Sequence, residues 1–410
     1  MAARRRLAVL AAVVGPGLLA GLSDDDPAGI TTYSALGASH GYQLLWVLLV
    51  ATLALILFHD LASRMGVVTG QGLIGIIRQR FGVRVAGAAL LLLVLANLGT
   101  TAAEFAGIAA GFELFGVPRA VSVPVAAVAV GLLVLRGSFH RVEHVLLALG
   151  TVFITYVIAA VLAHPDWGAA ARGAVVPTIP FERGALLLAT ATIGTTLAPW
   201  GLSFIQSYAV DKRLSLADLR YERADVVIGA TLTGVIGAFV VVACAATLHA
   251  HGITIETASD AAQALEPLAG DLASKLFAVG LIGAALLAAS ILPLSTAYSV
   301  CEFVGTEAAI DDHFRDAKLF YLAYGATMVV GAIPVLVPGA PLVTILVGTQ
   351  ALNAVLLLPL LVLMYRVARD RTLMRAFRAS RSQAAMYIVA IVLIAACIIG
   401  LAGLTLTGAA

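Results

Sequence analysis

Long apolar stretches recur along the whole chain, and they constrain its fold more than any other feature. Approximate runs cover residues 7–36, 43–62, 85–112, 120–135, 144–163, 185–210, 226–248, 273–300, 319–336, 343–365 and 385–408. A bilayer-spanning helix needs roughly 20 mostly apolar residues. The runs therefore predict eleven transmembrane helices, the fourth and ninth short. A transmembrane barrel is excluded, because its strands alternate apolar and polar residues. Composition agrees: 61% of the 410 residues are hydrophobic, 12% are charged and mean hydropathy is +1.02. Soluble domains carry about 25% charged residues, so too little polar surface is present to coat a globule in water. The fold class is an all-α, multi-pass integral membrane protein, not a cytosolic enzyme, a secreted domain or a disordered chain. Cys244, Cys301 and Cys397 lie in apolar runs without CxxC spacing and read as packing residues, not as a disulfide or zinc framework.

Charge sorts by side. With the N-terminus placed in the cytoplasm and the spans alternating, all of the 25 Lys and Arg except Arg119, Arg172, Arg183 and Lys275 fall in cytoplasmic segments. That is the positive-inside pattern, and it puts the C-terminus outside. The basic loop at 366–381 reads as a topology anchor against anionic lipid, not as a nucleic-acid patch. The expected setting is a bacterial plasma membrane, with the lipid bilayer as a partner, no nucleic acid and no obligate protein partner evident. Arg4-Arg5-Arg6 before an apolar stretch looks like a signal peptide. Asp24-Asp25-Asp26 falls where that segment should still be crossing, which argues against cleavage. No GxxxxGK[ST] motif and no hydrolytic constellation stands out. Neither ATP-driven pumping, nor an enzymatic role, nor a cofactor is expected.

Two spans contain what a membrane helix avoids. The first holds Asp24, Asp25, Asp26, Pro27, Ala28 and Gly29; the sixth holds Thr195, Thr196, Leu197, Ala198, Pro199, Trp200 and Gly201. Proline removes a backbone donor and glycine loosens the helix, so both helices should unwind there. Freed carbonyls within a bilayer must line a cavity or bind something. Paired breaks in spans 1 and 6 divide the chain into two five-helix units, residues 1–163 and 185–365, with 385–408 an added eleventh helix. Five is odd, so the second unit enters the membrane inverted, as in transporters built from inverted repeats. Carboxylates at such depth are expensive and usually functional.

Several stretches resemble one family. Gly15-Pro16-Gly17 through Asp26-Pro27-Ala28-Gly29 resembles the first helix of the natural-resistance-associated macrophage protein (Nramp) family of divalent metal transporters. Leu44-Leu45-Trp46-Val47-Leu48-Leu49 with Ser63-Arg64-Met65-Gly66 resembles its second helix. Ala103-Glu104 with Gly107, and Leu114-Phe115-Gly116-Val117-Pro118, resemble its third helix and the loop after it. Phe277-Ala278-Val279-Gly280-Leu281 resembles its eighth helix and Gln350 its tenth. The resemblance implies the amino-acid-transporter (LeuT-type) fold and a site that holds a transported ion.

Departures from the family pattern shape the expected function. The Asp-Pro-Gly-Asn motif here reads Asp26-Pro27-Ala28-Gly29, so the carboxylate is kept and the Asn oxygen is missing. The Met-Pro-His motif reads Ala198-Pro199-Trp200, so the thioether and a His are missing. Ile205 stands where a second His lies, and Thr101 where proton-coupled members carry Asp; Glu104 keeps the family's Glu. A thioether favours softer ions over magnesium and calcium. Without it the site suits hydrated Mg2+ and also Mn2+, because magnesium keeps several waters on one or two carboxylates. The pattern resembles the Nramp-related magnesium transporters. Shortened side chains at Gly29 and Ala198 are expected to leave room for water. Asp26, the Gln350 amide and carbonyls near Ser23 and Thr195 are the expected contacts, with Glu104 facing the site or its water pathway. The thinned relay implies transport without proton coupling. A proton-coupled Mn2+/Fe2+ symporter and an organic-solute transporter on the same fold remain the alternatives. A non-transporting sensor is disfavoured by the lack of a soluble output domain.

Other polar residues carry two readings each. Asp24 and Asp25 either draw cations into an outer vestibule or form a solvated turn. Gln206 and Asn353 are weaker site candidates or interhelical glue. Thr31, Thr32 and Thr349 read as glue, Arg141 and Glu143 as a helix-start ion pair, and Asp311, Asp312, His313 and Asp316 as a solvated loop. Trp200 walls the pocket or packs the core.

Overall fold

A backbone in lipid has no water to bond, so each apolar run must close its own hydrogen bonds, and a helix does this within one segment. The computed structural model describes residues 16–136, 154–255, 258–262, 270, 273–306 and 314–407, and every regular element among them is helical. The helices are α1 (Pro16–Asp24), α2 (Pro27–His40), α3 (Leu45–Thr69), α4 (Leu73–Phe81), α5 (Val83–Glu113), α6 (Arg119–Arg136) and α7 (Ile154–Leu162). There follow α8 (Trp167–Val175), α9 (Arg183–Thr196), α10 (Pro199–Asp211), α11 (Leu219–Thr247), α12 (Ala273–Val304), α13 (Lys318–Leu336), α14 (Leu342–Ala368) and α15 (Arg381–Thr407). Eight helical stretches among the described residues are long and apolar enough to cross a membrane. α6 is a shorter apolar helix, and the first span is divided between α1 and α2. The expected span at 144–163 falls partly outside the described residues and is represented by α7.

Several helices outrun the apolar stretches that announced them. α3 continues to Thr69 and α11 begins at Leu219, because polar end turns lower hydropathy without losing their helical bonds. Two short helices had no apolar run to reveal them. In α4, Leu73, Ile74, Ile76 and Ile77 are buried while Arg80 is exposed, a one-sided pattern at helical spacing. α8 starts at Asp166, whose carboxylate accepts from the Ala169 N–H at 2.9 Å.

The broken helices occupy the centre. The α9–α10 pair has 89% of its most apolar stretch buried, whereas α15 has 11% and presents Ile388, Val389 and Val392 outward, as a lipid-facing helix does. α1 lies along α11, where the Gly17 N–H donates to Asp225 at 2.7 Å and the Thr233 hydroxyl donates to the Gly21 carbonyl at 2.6 Å. Asn97 of α5 donates to Thr296 of α12 at 2.9 Å, and Ser203 of α10 meets Ser299 of α12 at 2.8 Å. Such bonds hold helices together where no hydrophobic driving force separates them from lipid. At one end of the bundle Arg223 pairs with Asp60 and Arg80 with Asp370, each at 2.5 Å, and Arg64 donates to the Tyr387 hydroxyl. The basic segments that the charge pattern assigned to one side therefore meet at one end.

α5 reaches the first helix break through Gly107, where a Cβ would collide with the Pro27 ring. Gly107→Ala is expected to lower the thermal midpoint in detergent, at a cost of about 1–3 kcal/mol for overpacking. Gly131→Ala is the control, since a Cβ there meets no atom within 4 Å. Equal midpoints for the two variants would show that the α5–α2 contact yields freely.

Candidate functional site

α1 ends at Asp24 and α2 begins at Pro27, leaving Asp25 and Asp26 as the link. Asp26 has extended backbone, φ −70° and ψ 171°, and its Oδ1 accepts from the Gly29 N–H at 2.5 Å. That is the N-cap bond that starts α2, and Pro27, lacking an N–H, suits the first helical position. The second break repeats the geometry. Ala198 is extended, φ −77° and ψ 143°, and Pro199 opens α10. Alanine has no side-chain oxygen, so this cap bond is not made and the first N–H groups of α10 must find other partners.

Oxygens gather at the first break. A Cβ on Gly29 would stand 2.9 Å from the Asp24 carbonyl, 3.2 Å from Thr195 Oγ1 and 3.3 Å from Asp26 Oδ1. The Glu104 carboxyl, brought by α5, lies within hydrogen-bonding reach of the Asp26 carboxyl. Asp26, Gly29, Thr195 and Glu104 thus meet from α2, α9 and α5. The carboxylates of Asp24, Asp25 and Glu104 and the hydroxyls of Ser23 and Thr195 are buried with no hydrogen-bond donor supplied to them. Among the described residues none of these carboxylates pairs with Lys or Arg. Ionised carboxylates only accept hydrogen bonds, so Asp26 and Glu104 stay in contact only with a proton or a cation between them. Buried charge without a partner costs several kcal/mol or more, so these carboxyls call for protons or a cation, and an all-oxygen set suits a hard cation. No group of three His, Cys, Asp or Glu side chains among the described residues is placed to hold a metal ion alone. An ion here must also use carbonyls, hydroxyls or its own water.

The structure corrects several expectations. Gly29 does not open space, because the Asp24 carbonyl has moved in against it. Asp24 and Asp25 are 1% and 0% exposed, so they lie neither in an outer vestibule nor in a solvated turn; α1 packs against α11 and α10. Ala198 lies at the second break, three residues from Thr195. Gln350 is buried with its backbone carbonyl against Gly194, and its side-chain oxygen accepts from Asn353 at 2.9 Å. Asn353 also donates to Thr100 at 2.8 Å. These amides link α14 to α5, and no contact carries the Gln350 side chain onto Asp26. Gln206 donates to the Gln71 carbonyl far along α10, which makes it interhelical glue. Trp200 packs near Phe204 in the core and its carbonyl accepts from Ser295. Thr101 is buried against Gly331 of α13. Arg141, Glu143 and Asp311 to His313 lie outside the described residues.

One residue escaped the sequence reading. His59 on α3 is fully buried with both ring nitrogens unpartnered, and its Nε2 faces Gly201 beside the second break. An ionisable side chain deep in the apolar run 43–62 was the signal that could have found it.

Helices broken in the middle, set at the centre of an all-helical membrane bundle and surrounded by buried carboxylates, define a membrane transporter. The sequence matches the family described as natural resistance-associated macrophage protein-like (Nramp) over residues 17–403. The chain belongs to that family, whose members are transporters and not enzymes. A divalent metal cation transporter, MntH, of Burkholderia ambifaria is 29% identical over 382 residues, covering 90% of this chain and 83% of its own. The structure of the Eremococcus coleocola manganese transporter superposes with a TM-score of 0.78 at 20% identity, covering 95% of this chain and 85% of the other. MhsT in complex with L-phenylalanine has the same general fold, with a TM-score of 0.60 at 15% identity, covering 96% of this chain and 98% of the other.

Gly29→Asn is expected to destabilise the protein more than Ala198→Met, because a backbone oxygen blocks the new Cβ at position 29. Thermal midpoints in detergent compare them. Equal values would mean that the end of α1 gives way.

Proposed function

We propose that this protein carries hydrated Mg2+, and also Mn2+, through a site centred on Asp26, without moving protons. The observation that carries this reading is the donor set at the first break. It comprises the Asp26 and Glu104 carboxyls, the Thr195 hydroxyl and the Asp24 carbonyl, all oxygen, with no thioether. Such a set gives no advantage to soft ions and too few protein ligands to strip a magnesium ion of its water. Asp26 is the central ligand. Gly29 and Ala198 contribute backbone only, and Gln350 supports the site from α14, reaching the ion if its bond to Asn353 is exchanged.

The route proposed runs from this site along α10. Pro199 begins that helix at the break, and Ser207, roughly 12 Å further along at 1.5 Å per residue, lines a cavity of about 780 Å³ with Glu302, Arg78, Arg213 and Tyr298. The proposal places this cavity on the cytoplasmic side with the N-terminus, in a bacterial plasma membrane, and the C-terminus outside. Residues 1–163 and 185–365 act as the two inverted units that rock about the site. An inside-negative potential contributes about 2.3 kcal/mol per elementary charge per 100 mV, about twice that for a divalent ion, so accumulation needs no second gradient.

One observation favours the proton-coupled alternative. The Asp26 and Glu104 carboxyls lie close to one another, and a proton is the simplest bridge between them when no metal is bound. Against it, Thr101, Trp200 and Ile205 offer no onward carriers at the positions where the family has Asp and His. An organic carboxylate as cargo is opposed by the cluster of Asp24, Asp25 and Asp26.

Two measurements test this. Asp26→Ala in proteoliposomes is expected to abolish Mg2+ and Mn2+ uptake while the protein stays folded; full uptake would remove Asp26 from the mechanism. Wild-type protein should admit millimolar Mg2+ in competition with Mn2+, and Cd2+ transport with inert Mg2+ would overturn the assignment. A pH-sensitive dye trapped in the same vesicles should record no acidification tied to metal entry. Acidification that follows metal uptake, with passive proton leak controlled, would establish symport.

A further inference from the structure

His59 has no structural reason to be where it is. A neutral imidazole carries one donor and one acceptor nitrogen, and burying both unsatisfied costs free energy without return. Yet the ring is 0% exposed and neither nitrogen has a partner. Its helix does not force the placement. The neighbouring Asp60 pairs with Arg223 of α11, while Ser63, one turn further along the face that carries His59, donates to the buried Glu222 at 3.1 Å. His59 therefore belongs to the polar, inward face of α3.

That face meets two other features. A Cβ built on Gly201 would lie 3.2 Å from His59 Nε2 and 3.7 Å from Asp24 Oδ1. The imidazole nitrogen and the carboxylate oxygen thus both approach the same face of residue 201, which they can do because it is glycine. Both Asp24 oxygens are buried without a donor. The three residues come from α3, the end of α1 and the start of α10, so this approach joins the two helix breaks.

We propose that His59 and Asp24 form a second cation station, which supplies one nitrogen and one carboxylate oxygen to a partly hydrated divalent ion as it passes between the Asp26 site and α10. The proposal rests on the reading of Asp26 as the transported ion's ligand and adds what that site lacks. Imidazole suits first-row transition ions and gives magnesium little. The station therefore favours Mn2+ or Fe2+ over Mg2+ in a protein whose main site, with oxygen donors only, distinguishes them poorly. It makes His59 a specificity-determining ligand without a thioether at position 198.

The test uses full-length protein in nanodiscs loaded with Mn2+, and electron spin-echo envelope modulation reads nitrogen bound to manganese. Wild type should show imidazole 14N modulation. His59→Gln should lose it, and His40→Gln, at the far end of α2, should keep it. His59→Gln should also lower Mn2+ affinity by at least about tenfold, the smaller end of what even an outer-shell partner contributes to a metal site, and the Mn2+/Mg2+ uptake ratio should fall with it. If His59→Gln does not fold, Gly201→Ala keeps both side chains but sets a methyl group 3.2 Å from His59 Nε2, which must then shift, and the same loss of nitrogen modulation is expected. Modulation that persists in the variants, or is absent from wild type loaded with Mn2+, overturns the second station. Asp26-dependent uptake measured alongside separates the cases. If it survives, only the station fails; if no divalent uptake depends on Asp26, the reading beneath it fails.

Discussion

Carboxylates buried without a cationic partner are the constraint on which this molecule depends. Asp24, Asp25, Asp26 and Glu104 are each 3% exposed or less and sit at mid-bundle, where the cost of burying charge is highest. Nothing among the described residues neutralises them with Lys or Arg. Such a cluster stays buried only when protons or a cation neutralise it, and a divalent cation provides two charges at once. The architecture follows. The helix must unwind at Asp25 and Asp26 for carbonyls to join the carboxylates, the break must be at the centre to be shielded from lipid, and small residues such as Gly107 must let neighbouring helices close over it.

The two breaks are alike in backbone and unlike in chemistry. Each has an extended cap followed by proline, yet Asp26 closes its cap with a side chain and Ala198 has none to offer. The first break therefore holds charge, while the second leaves the α10 N-terminus without a side-chain cap and lets neighbours come close at Gly201. His59 from α3 enters on that second side. In the proposed mechanism, ion preference is divided between an oxygen cluster that accepts hard hydrated ions and a nitrogen donor that distinguishes among them.

The bilayer made most of the fold legible before any coordinates. Each span had to be a helix, and the distribution of Arg and Lys foretold that the segments around Arg64, Arg80 and Arg223 would meet at one end. The breaks were legible because Pro27 and Pro199 have specific backbone costs. α4 and α8 were not, since short amphipathic helices leave no mark on hydropathy. Gly29 was misread as space because a sequence shows that a side chain is missing, not whether backbone has filled its place.

The sequence by itself determined the helices, their two interruptions and the carboxylate at Asp26, because these follow from local rules: apolar length, proline geometry and the cost of charge in lipid. Only the tertiary structure decided which polar groups share a site. Glu104 lies near Asp26, Asp24 is buried and His59 approaches Gly201 from another helix, while Gln206 and the Gln350 side chain are spent on holding segments together. Those pairings depend on the rotation and depth of helices packed far apart in sequence, and one residue of axial rotation, about 100°, moves a side chain from the site to lipid.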